Sequence, residues 1–178
     1  MALIVHSSPI HSVGVFTTTR IRKGARVVEY DGERITPAEA DRRYEGKEIT
    51  YLYALEDGKT IIDGRGVGAF LNHSCDPNCE VDEISGRVYL YAMRNIGAGE
   101  ELVWDYNLHD DEGPAPCHCG ATNCRGTMYS DEWMATLRRR AARRKKAKQA
   151  KALKKKKSAK KKLTTRRTTK QKRHVEAL

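Results

Sequence analysis

The chain lacks any long hydrophobic run, and its first residues, "MALIVHSSPIH", lack the basic start and apolar core of a secretory signal. The roughly 18 consecutive apolar residues of a membrane span occur nowhere. Both absences predict an intracellular protein without membrane association. Cysteine is scarce as well, with five residues. In a reducing compartment, these cysteines favour metal binding or chemistry over disulfide bonds.

Acidic residues are almost absent from the last part of the chain. Residues 138–178 hold 21 of the 34 lysines and arginines and one of the 23 acids, a net charge of +20. The other 137 residues keep 13 basic and 22 acidic side chains, a net charge of −9. Because so dense a block of like charge cannot bury enough apolar surface to offset its ordering entropy, we expect a disordered or marginally helical tail.

Short strands separated by glycine-containing turns dominate residues 1–107. The stretches "EDGK" and "ISGR" are typical hairpin loops, since Gly58 and Gly86 supply the positive φ that such turns need. The length suits one folded unit with an appendage. The pattern predicts a mostly β fold with short helices, of the α+β class, but it does not give the strand order.

Two helices are indicated. The first follows Thr36 as N-cap, with Pro37 at the first helical position and Glu39 closing a capping box. The second begins after Ser130, where acidic residues lie in the first turn and face the positive end of the helix dipole.

A loop contains three cysteines in the spacing Cys-x-Cys-x4-Cys: Cys117, Cys119 and Cys124. Gly120 permits the tight turn that converging thiolates require. Because tetrahedral zinc takes four ligands, either a water or a distant cysteine completes the set. Cys75 is the candidate cysteine, whereas Cys79 is expected to pack in the core.

Two further stretches carry chemistry-bearing side chains, "FLNHSCDPNCE" at 70–80 and "ELVWDYN" at 101–107. Taken alone, Asn72 and His73 would be hydrogen-bonded residues at the end of a strand. The alternation of Leu102, Trp104 and Tyr106 by itself predicts a half-buried strand with aromatic packing. The alternative is a tyrosine hydroxyl placed next to an ionisable substrate group.

Together these stretches resemble a known family. "GVFTT", "EYDGERI", "FLNHSCDPNC", "GEELVWDY" and "CHCGATNCRGTM" have the order and spacing of SET-domain protein lysine methyltransferases with a post-SET zinc motif. The likeness covers about residues 6–129, and the chain resembles the compact form found in bacterial SET proteins. It implies a SET β-clip fold with a C-terminal pseudoknot, in which residues 4–107 form the SET domain and 108–129 the post-SET zinc segment. Residues 130–137 then start a helix, and 138–178 form the Lys/Arg-rich tail.

The resemblance also implies roles for individual residues. Six match positions that hold S-adenosylmethionine: Val13, Gly14, Val15, Tyr51, Asn72 and His73. Three match positions around the lysine channel and the methyl transfer path: Tyr106, Tyr30 and Trp104. Four match the zinc ligands: Cys75, Cys117, Cys119 and Cys124. The pseudoknot of the family brings "NHSC" beside "DY".

The chain departs from the family pattern at three positions. Ser12 stands where the family often has glycine, and Ala69 where it often has an arginine that would add a charge near the cofactor. Trp104 occupies a position that is usually Phe or Tyr and limits the number of methyl groups. A tighter pocket would favour monomethylation, whereas a reoriented indole would leave more room.

The predicted function is methyl transfer from S-adenosylmethionine to lysine of a basic protein, histone or histone-like, because a net-negative domain suits a cationic substrate. The tail is predicted to bind nucleic acid through phosphate contacts, and it is also a candidate for self-methylation or autoinhibition. These partners place the protein in the cytoplasm or nucleoid of a bacterium, or in the nucleus, on the chromosome, of a eukaryote. The alternatives are a catalytically inactive zinc-braced binding module with a nucleic-acid-binding tail, and an enzyme acting on a non-chromatin protein such as a ribosomal one.

Overall fold

The computed structural model describes residues 2–47, 49–109 and 115–152, and the chain divides into two compact units after Ser130. The strands are β1 (Leu3–Ser7), β2 (Val13–Thr17), β3 (Arg26–Tyr30), β4 (Gly32–Ile35), β5 (Leu52–Ala54), β6 (Ile61–Gly64), β7 (Asn72–His73), β8 (Cys79–Ile84), β9 (Arg87–Ala92) and β10 (Glu101–Trp104). The helices are α1 (Pro37–Tyr44), a 3-10 helix (Val67–Phe70) and α2 (131–152). The mostly β fold is confirmed, and the helices of the first unit are short, as predicted.

The strands of the first unit form two sheets. The larger has the order β1-β2-β10-β8-β9-β3, with β7 paired to β10, and the smaller has the order β4-β6-β5. Strand β10 therefore lies in the interior of its sheet, antiparallel to β2 and parallel to β7 and β8. The register sets Val103 opposite Asn72 and Trp104 opposite His73. The "DY" segment that follows β10 is thereby held beside "NHSC", as the pseudoknot of the family requires.

Both predicted hairpin turns are present. Between β8 and β9, Ser85 and Gly86 have φ values of 52° and 71°, and two successive residues at positive φ match the twist of a two-residue hairpin. Between β5 and β6, Gly58 has a φ of 64°. These turns set the register of the strands that follow them.

Helix α1 begins as predicted, but its capping box is not formed. The Thr36 hydroxyl accepts from the backbone N–H of Glu39 at 3.3 Å. The Glu39 carboxylate instead accepts from the guanidinium groups of Arg42 and Arg43, because charge-assisted bonds along the helix outweigh a bond back to a backbone N–H. Arg43 also pairs with Asp63 of β6 at 2.8 Å, which ties α1 to the small sheet.

The core of the first unit consists of apolar side chains from several strands and from the segments that connect them. The most completely buried include Val15, Leu71, Leu90, Ile96 and Leu102. Cys79 is also 1% exposed, and burial raises the pKa of its thiol to about 12. Its environment is that of a packed core residue, as expected.

The second unit contains α2, which starts at the expected place and continues well past the predicted segment 130–137. Alanines interleaved with the basic residues explain the extension, since alanine has the highest helix propensity. Of the two states expected for the tail, the helical one therefore holds for 138–152, and residues 153–178 lie outside the described part. Among the described helices, none combines the length and apolar character needed to cross a bilayer.

Candidate active site and sulfur cluster

The site is built around the short strand β7, which follows the 3-10 helix and places polar side chains in the protein interior. Asn72 is 8% exposed and His73 is 4% exposed. The Asn72 amide nitrogen donates to the carbonyl oxygen of Val13 and to Glu101 Oε1, both at 2.8 Å. One side chain therefore joins β2, β7 and β10, which explains why a polar residue is kept at this buried position.

Gly14 lies in β2 directly against this group. A β-carbon added to it would lie 2.1 Å from Glu101 Oε1 and 3.0 Å from the Asn72 amide nitrogen. No larger residue fits without moving the carboxylate. Val15 is fully buried in the core, where it is paired with Val5 of β1 and Leu102 of β10. Tyr51 is half-buried, and its ring contacts Phe70 edge-on at 5.5 Å.

His73 connects the strand end to the "DY" segment. Its Nδ1 accepts from the backbone N–H of Tyr106 at 3.1 Å. Burial is the main reason that the pKa of His73 falls to about 4, although the nearby Asp105 opposes the shift. The imidazole is therefore neutral at pH 7, and its remaining proton is on Nε2, which faces Cys75 Sγ at 3.4 Å.

Aromatic rings line the space beside Asn72 and His73. The ring centroids of Trp104 and Tyr106 are 4.9 Å apart, and Tyr53 lies 6.1 Å from Trp104 and 5.7 Å from Tyr30. Tyr53 was missed by sequence analysis, although it lies two residues after Tyr51 in "TYLYALE" and a period of two predicts one shared strand face. The three aromatic residues expected at the lysine channel are thus joined into one group by Tyr53.

Two polar atoms of this aromatic group define its chemistry. The Tyr106 hydroxyl donates to the carbonyl oxygen of Leu71 at 2.9 Å, and burial raises the pKa of Tyr106 to about 12. The indole N–H of Trp104 is buried and finds no hydrogen-bond partner in the described part of the chain. Burial also raises the pKa of Tyr30 well above its usual value. Both tyrosines therefore remain protonated at neutral pH.

A sulfur cluster lies next to His73. It comprises Cys75, Cys117, Cys119 and Cys124, whose sulfur atoms all lie within 4.8 Å of one another. Tetrahedral zinc with bonds of about 2.3 Å separates its sulfur ligands by about 3.8 Å. The Cys75–Cys117 and Cys117–Cys124 distances are 3.8 and 3.7 Å. The four sulfurs are therefore close enough to one another to hold a zinc ion.

Backbone groups complete the surroundings of the cluster. The N–H of Cys75 points at Cys119 Sγ, and the N–H of Arg125 points at Cys75 Sγ, each at 3.4 Å. Although burial opposes it, hydrogen bonds from the backbone of Cys75 and Ala121 and from the neighbouring thiols lower the pKa of Cys119 to about 6, which favours the thiolate that a metal needs. Gly120 has a φ of 74°, so the tight turn expected there is present.

An ion pair fastens the cysteine loop to the strand that leads to Tyr106. Arg125, directly after Cys124, forms two hydrogen bonds to the Asp105 carboxylate, at 2.6 and 2.8 Å. Burial would raise the pKa of Asp105, but the Arg125 pair outweighs it and lowers that pKa below its usual value. The pair was not predicted from the sequence, because the two residues are 20 positions apart and neither belongs to a ligand spacing.

We expect Arg125→Met to lower the free energy of unfolding of the zinc-loaded protein by about 3 kcal/mol, because it leaves a largely buried carboxylate without its cation. Arg94→Met is the matched control, since its pair with Glu100 is exposed and should be worth less than about 1 kcal/mol. Urea denaturation followed by tryptophan fluorescence measures both. Equal losses in the two variants would show that the Asp105 pair has no special weight.

Comparison with known proteins identifies the family. The family model of the SET domain matches residues 12–107, which is more than half of the chain. The protein therefore belongs to the SET-domain family, and its fold, with the cysteine cluster in its C-terminal part, is the one expected.

Curated relatives are histone-lysine N-methyltransferases. The H3 lysine-4 specific enzyme of Saccharomyces cerevisiae is 38% identical over 136 residues, covering 68% of this chain and 12% of the yeast protein. SUV39H2 of Xenopus tropicalis is 40% identical over 146 residues, covering 65% of this chain and 36% of that protein. Ash1 of Drosophila melanogaster is 40% identical over 127 residues, covering 65% of this chain and 6% of its own length. The chain thus corresponds to only a minor part of each relative.

Proposed function

We propose that the protein is a protein-lysine N-methyltransferase that uses S-adenosylmethionine. One observation carries the proposal: the Tyr106 hydroxyl is bonded to the carbonyl of Leu71, the residue just before Asn72. The tyrosine expected at the methyl transfer path and the asparagine expected at the cofactor are therefore fixed to the same segment. The matched family and the names of the relatives support the same activity.

The residues around Gly14 fit the amino-acid end of the cofactor. Asn72 supplies a polar group there, with its amide nitrogen 3.0 Å from the position that a β-carbon of Gly14 would take. Tyr51 and Phe70 add aromatic surface nearby. When bound, S-adenosylmethionine supplies a methyl group already activated on a positively charged sulfur. The protein must then chiefly align an amine with that methyl and exclude water.

The tyrosines orient the substrate amine. Because the Tyr106 hydroxyl proton is used for Leu71, its oxygen is left to accept a hydrogen bond from the lysine N–H. A hydroxyl with a pKa of about 12 makes a poor general base at neutral pH. The lysine, with an ordinary pKa near 10.4, therefore loses its proton to water before its nitrogen bonds to the methyl. An apolar aromatic channel favours the neutral amine.

We propose that Trp104 limits the number of methyl groups, since it stands between Tyr53 and Tyr106 in the aromatic group. Zinc held by Cys75, Cys117, Cys119 and Cys124 would have a structural role, because four sulfurs leave no open coordination position. It would tie the cysteine loop to the segment that bears His73.

The substrate that we propose is a basic chromosomal protein, histone or histone-like. Two observations support it: the relatives are named as histone-lysine enzymes, and the first 137 residues carry a net charge of −9. A cationic segment is attracted to such a surface before it docks. This substrate would place the protein at the chromosome, in a nucleoid or a nucleus.

Mass spectrometry tests the activity. The zinc-loaded protein is incubated with S-adenosylmethionine and a mixture of histones and basic bacterial proteins, beside Tyr106→Phe. Lysine-bound increments of about 14 Da that disappear in the variant would establish the enzyme and count the methyl groups that Trp104 permits. The absence of both the increments and any stabilisation by the cofactor would support the inactive binding module.

We propose that the tail binds nucleic acid. Nine lysines and arginines lie between 138 and 152 alone. Binding should not depend on the nucleotide sequence. In a plot of the logarithm of the binding constant against the logarithm of the salt concentration, the slope should be about −0.9 for each phosphate neutralised. Fluorescence anisotropy with labelled duplexes measures it, with a chain ending at Leu137 as control. Equal binding by the shortened chain would contradict the proposal, and mass spectrometry of the full chain would reveal any methylation of the tail itself.

A further inference from the structure

Glu101 stands out among the polar residues of the site because no role has been assigned to it. Its Oε1 accepts from the Asn72 amide at 2.8 Å, and the Ser8 hydroxyl approaches both carboxylate oxygens, at 2.8 and 3.0 Å. The carboxylate also lies against Gly14, where it occupies the space of a β-carbon. It is therefore held rigidly by three different segments of the chain.

All of these partners are neutral. Within residues 2–47, 49–109 and 115–152, no ion pair engages the carboxylate of Glu101. Glu100, one position earlier, differs in this respect, since it pairs with Arg94. A half-buried carboxylate with only neutral donors is incompletely compensated, and a cation placed beside it would gain the missing interaction.

The hydrogen bonds also show which acceptor atoms remain. The Asn72 nitrogen lies 2.8 Å from both the Val13 carbonyl oxygen and Glu101 Oε1, so both of its protons are used. Its third contact, to the His11 carbonyl oxygen, is longer at 3.5 Å. The carbonyl oxygen of that amide is then left for another donor. On Glu101, Oε2 has only the longer contact to Ser8. Two acceptor atoms, one of them charged, thus remain beside a glycine backbone, a combination that suits an ammonium group with three N–H donors.

We propose that Glu101 is a cofactor-binding residue, and that it holds the α-ammonium group of the amino-acid end of S-adenosylmethionine together with Asn72. The inference rests on the proposed function and adds a residue to it. Ser8 acts through Glu101, as a positioning residue that keeps the carboxylate over Gly14.

A thermodynamic cycle tests this proposal, with one substitution in the protein and one chemical change in the ligand. The probes are S-adenosylhomocysteine and its analogue without the α-amino group, and isothermal calorimetry gives the dissociation constants. For the unaltered chain we expect the analogue to bind about 30-fold more weakly, in line with loss of one partner of a hydrogen-bonded charge pair. In Glu101→Gln this difference should shrink to about threefold or less, because the charged partner is gone.

Glu100→Gln is the matched control, and it should keep the full difference between the two ligands. The ligand pair on the unaltered chain is informative even if Glu101→Gln folds poorly, since equal binding of both probes would overturn the proposal. A difference that persists in Glu101→Gln would also overturn it, as would an equal weakening of both ligands, which indicates a merely structural role. Failure of the unaltered chain to bind either probe would overturn the proposed function itself.

Discussion

Tyr106→Phe is expected to lower kcat for lysine methylation by about 100- to 1000-fold, the usual effect of removing a group that positions or stabilises the reacting atoms. The change removes the Tyr106 hydroxyl, which donates to the Leu71 carbonyl at 2.9 Å. The oxygen that would accept a hydrogen bond from the substrate amine is lost with it. Cofactor affinity should change little, because the asparagine, glycine and carboxylate contacts remain. Initial rates with a lysine peptide, and calorimetry with S-adenosylhomocysteine, measure the two quantities.

The pH dependence of the rate distinguishes orientation from base catalysis. Because the pKa of Tyr106 is raised to about 12, the tyrosine stays protonated below pH 10. The rate should then rise with pH as the substrate lysine loses its proton near 10.4. This profile should have the same shape in Tyr106→Phe at a lower level. A limb of the profile that disappears in the variant would contradict the orienting role.

Tyr89→Phe makes the same chemical change at a buried tyrosine of β9, whose ring contacts arginine side chains away from the site. It should leave kcat within about twofold, since surface and packing changes outside a site rarely alter catalysis beyond their small effect on stability. A comparable loss of rate in both variants would mean that the hydroxyl of Tyr106 acts only through general stability.

Cys117→Ser is expected to weaken zinc binding by more than about 100-fold, because removal of a metal ligand should exceed the effect of removing an outer-shell partner. The sulfur atom of Cys117 lies 3.8 Å from that of Cys75 and 3.7 Å from that of Cys124. Zinc content after dialysis against a competing chelator, measured by mass spectrometry, gives the result. Loss of the metal should also expose residues 115–130 to proteolysis, since binding and folding of such segments are coupled.

Cys79→Ala is the matched control for the cysteine change. Its thiol is as deeply buried but lies outside the sulfur cluster. This variant should lose about 1 kcal/mol of stability through a small cavity and retain its zinc. If Cys117→Ser kept one zinc per chain, a water or a different side chain would have to be the fourth ligand, and the four-cysteine set would be wrong.

Local patterns predicted much of the fold. The hairpin at Ser85 and Gly86 was predictable because positive φ values restrict the residues that can occupy the turn. The start of α1 was predictable because Thr36 caps it through a bond only three residues away. The outcome for Glu39 was not predictable. Its carboxylate can accept from a backbone N–H or from a charged guanidinium, and the local pattern does not show which donor it takes.

Some site residues were predictable from the sequence and others were not, because local patterns do not show contacts between distant residues. Cysteine spacing indicated three of the four cluster residues, since a loop of eight residues can bring them together by itself. From the residues alone Cys75 was a candidate beside a water, because it lies 42 positions from Cys117, and the resemblance favoured the cysteine. Tyr53, Glu101 and the Arg125–Asp105 pair were missed because each acquires its meaning only from a partner that is distant in the sequence.

The sequence alone determined the properties that depend on composition and on neighbouring residues. These are the split between an acidic domain and a basic tail, the β-rich character, the turns, and the spacing of the three cysteines in the loop. Tertiary structure alone decided that β10 lies inside the sheet beside β7, so that Asn72, Glu101 and Gly14 meet and Tyr106 reaches Leu71. Strand order is not encoded in local periodicity, because it depends on which distant segments bury each other's surfaces and satisfy each other's hydrogen bonds.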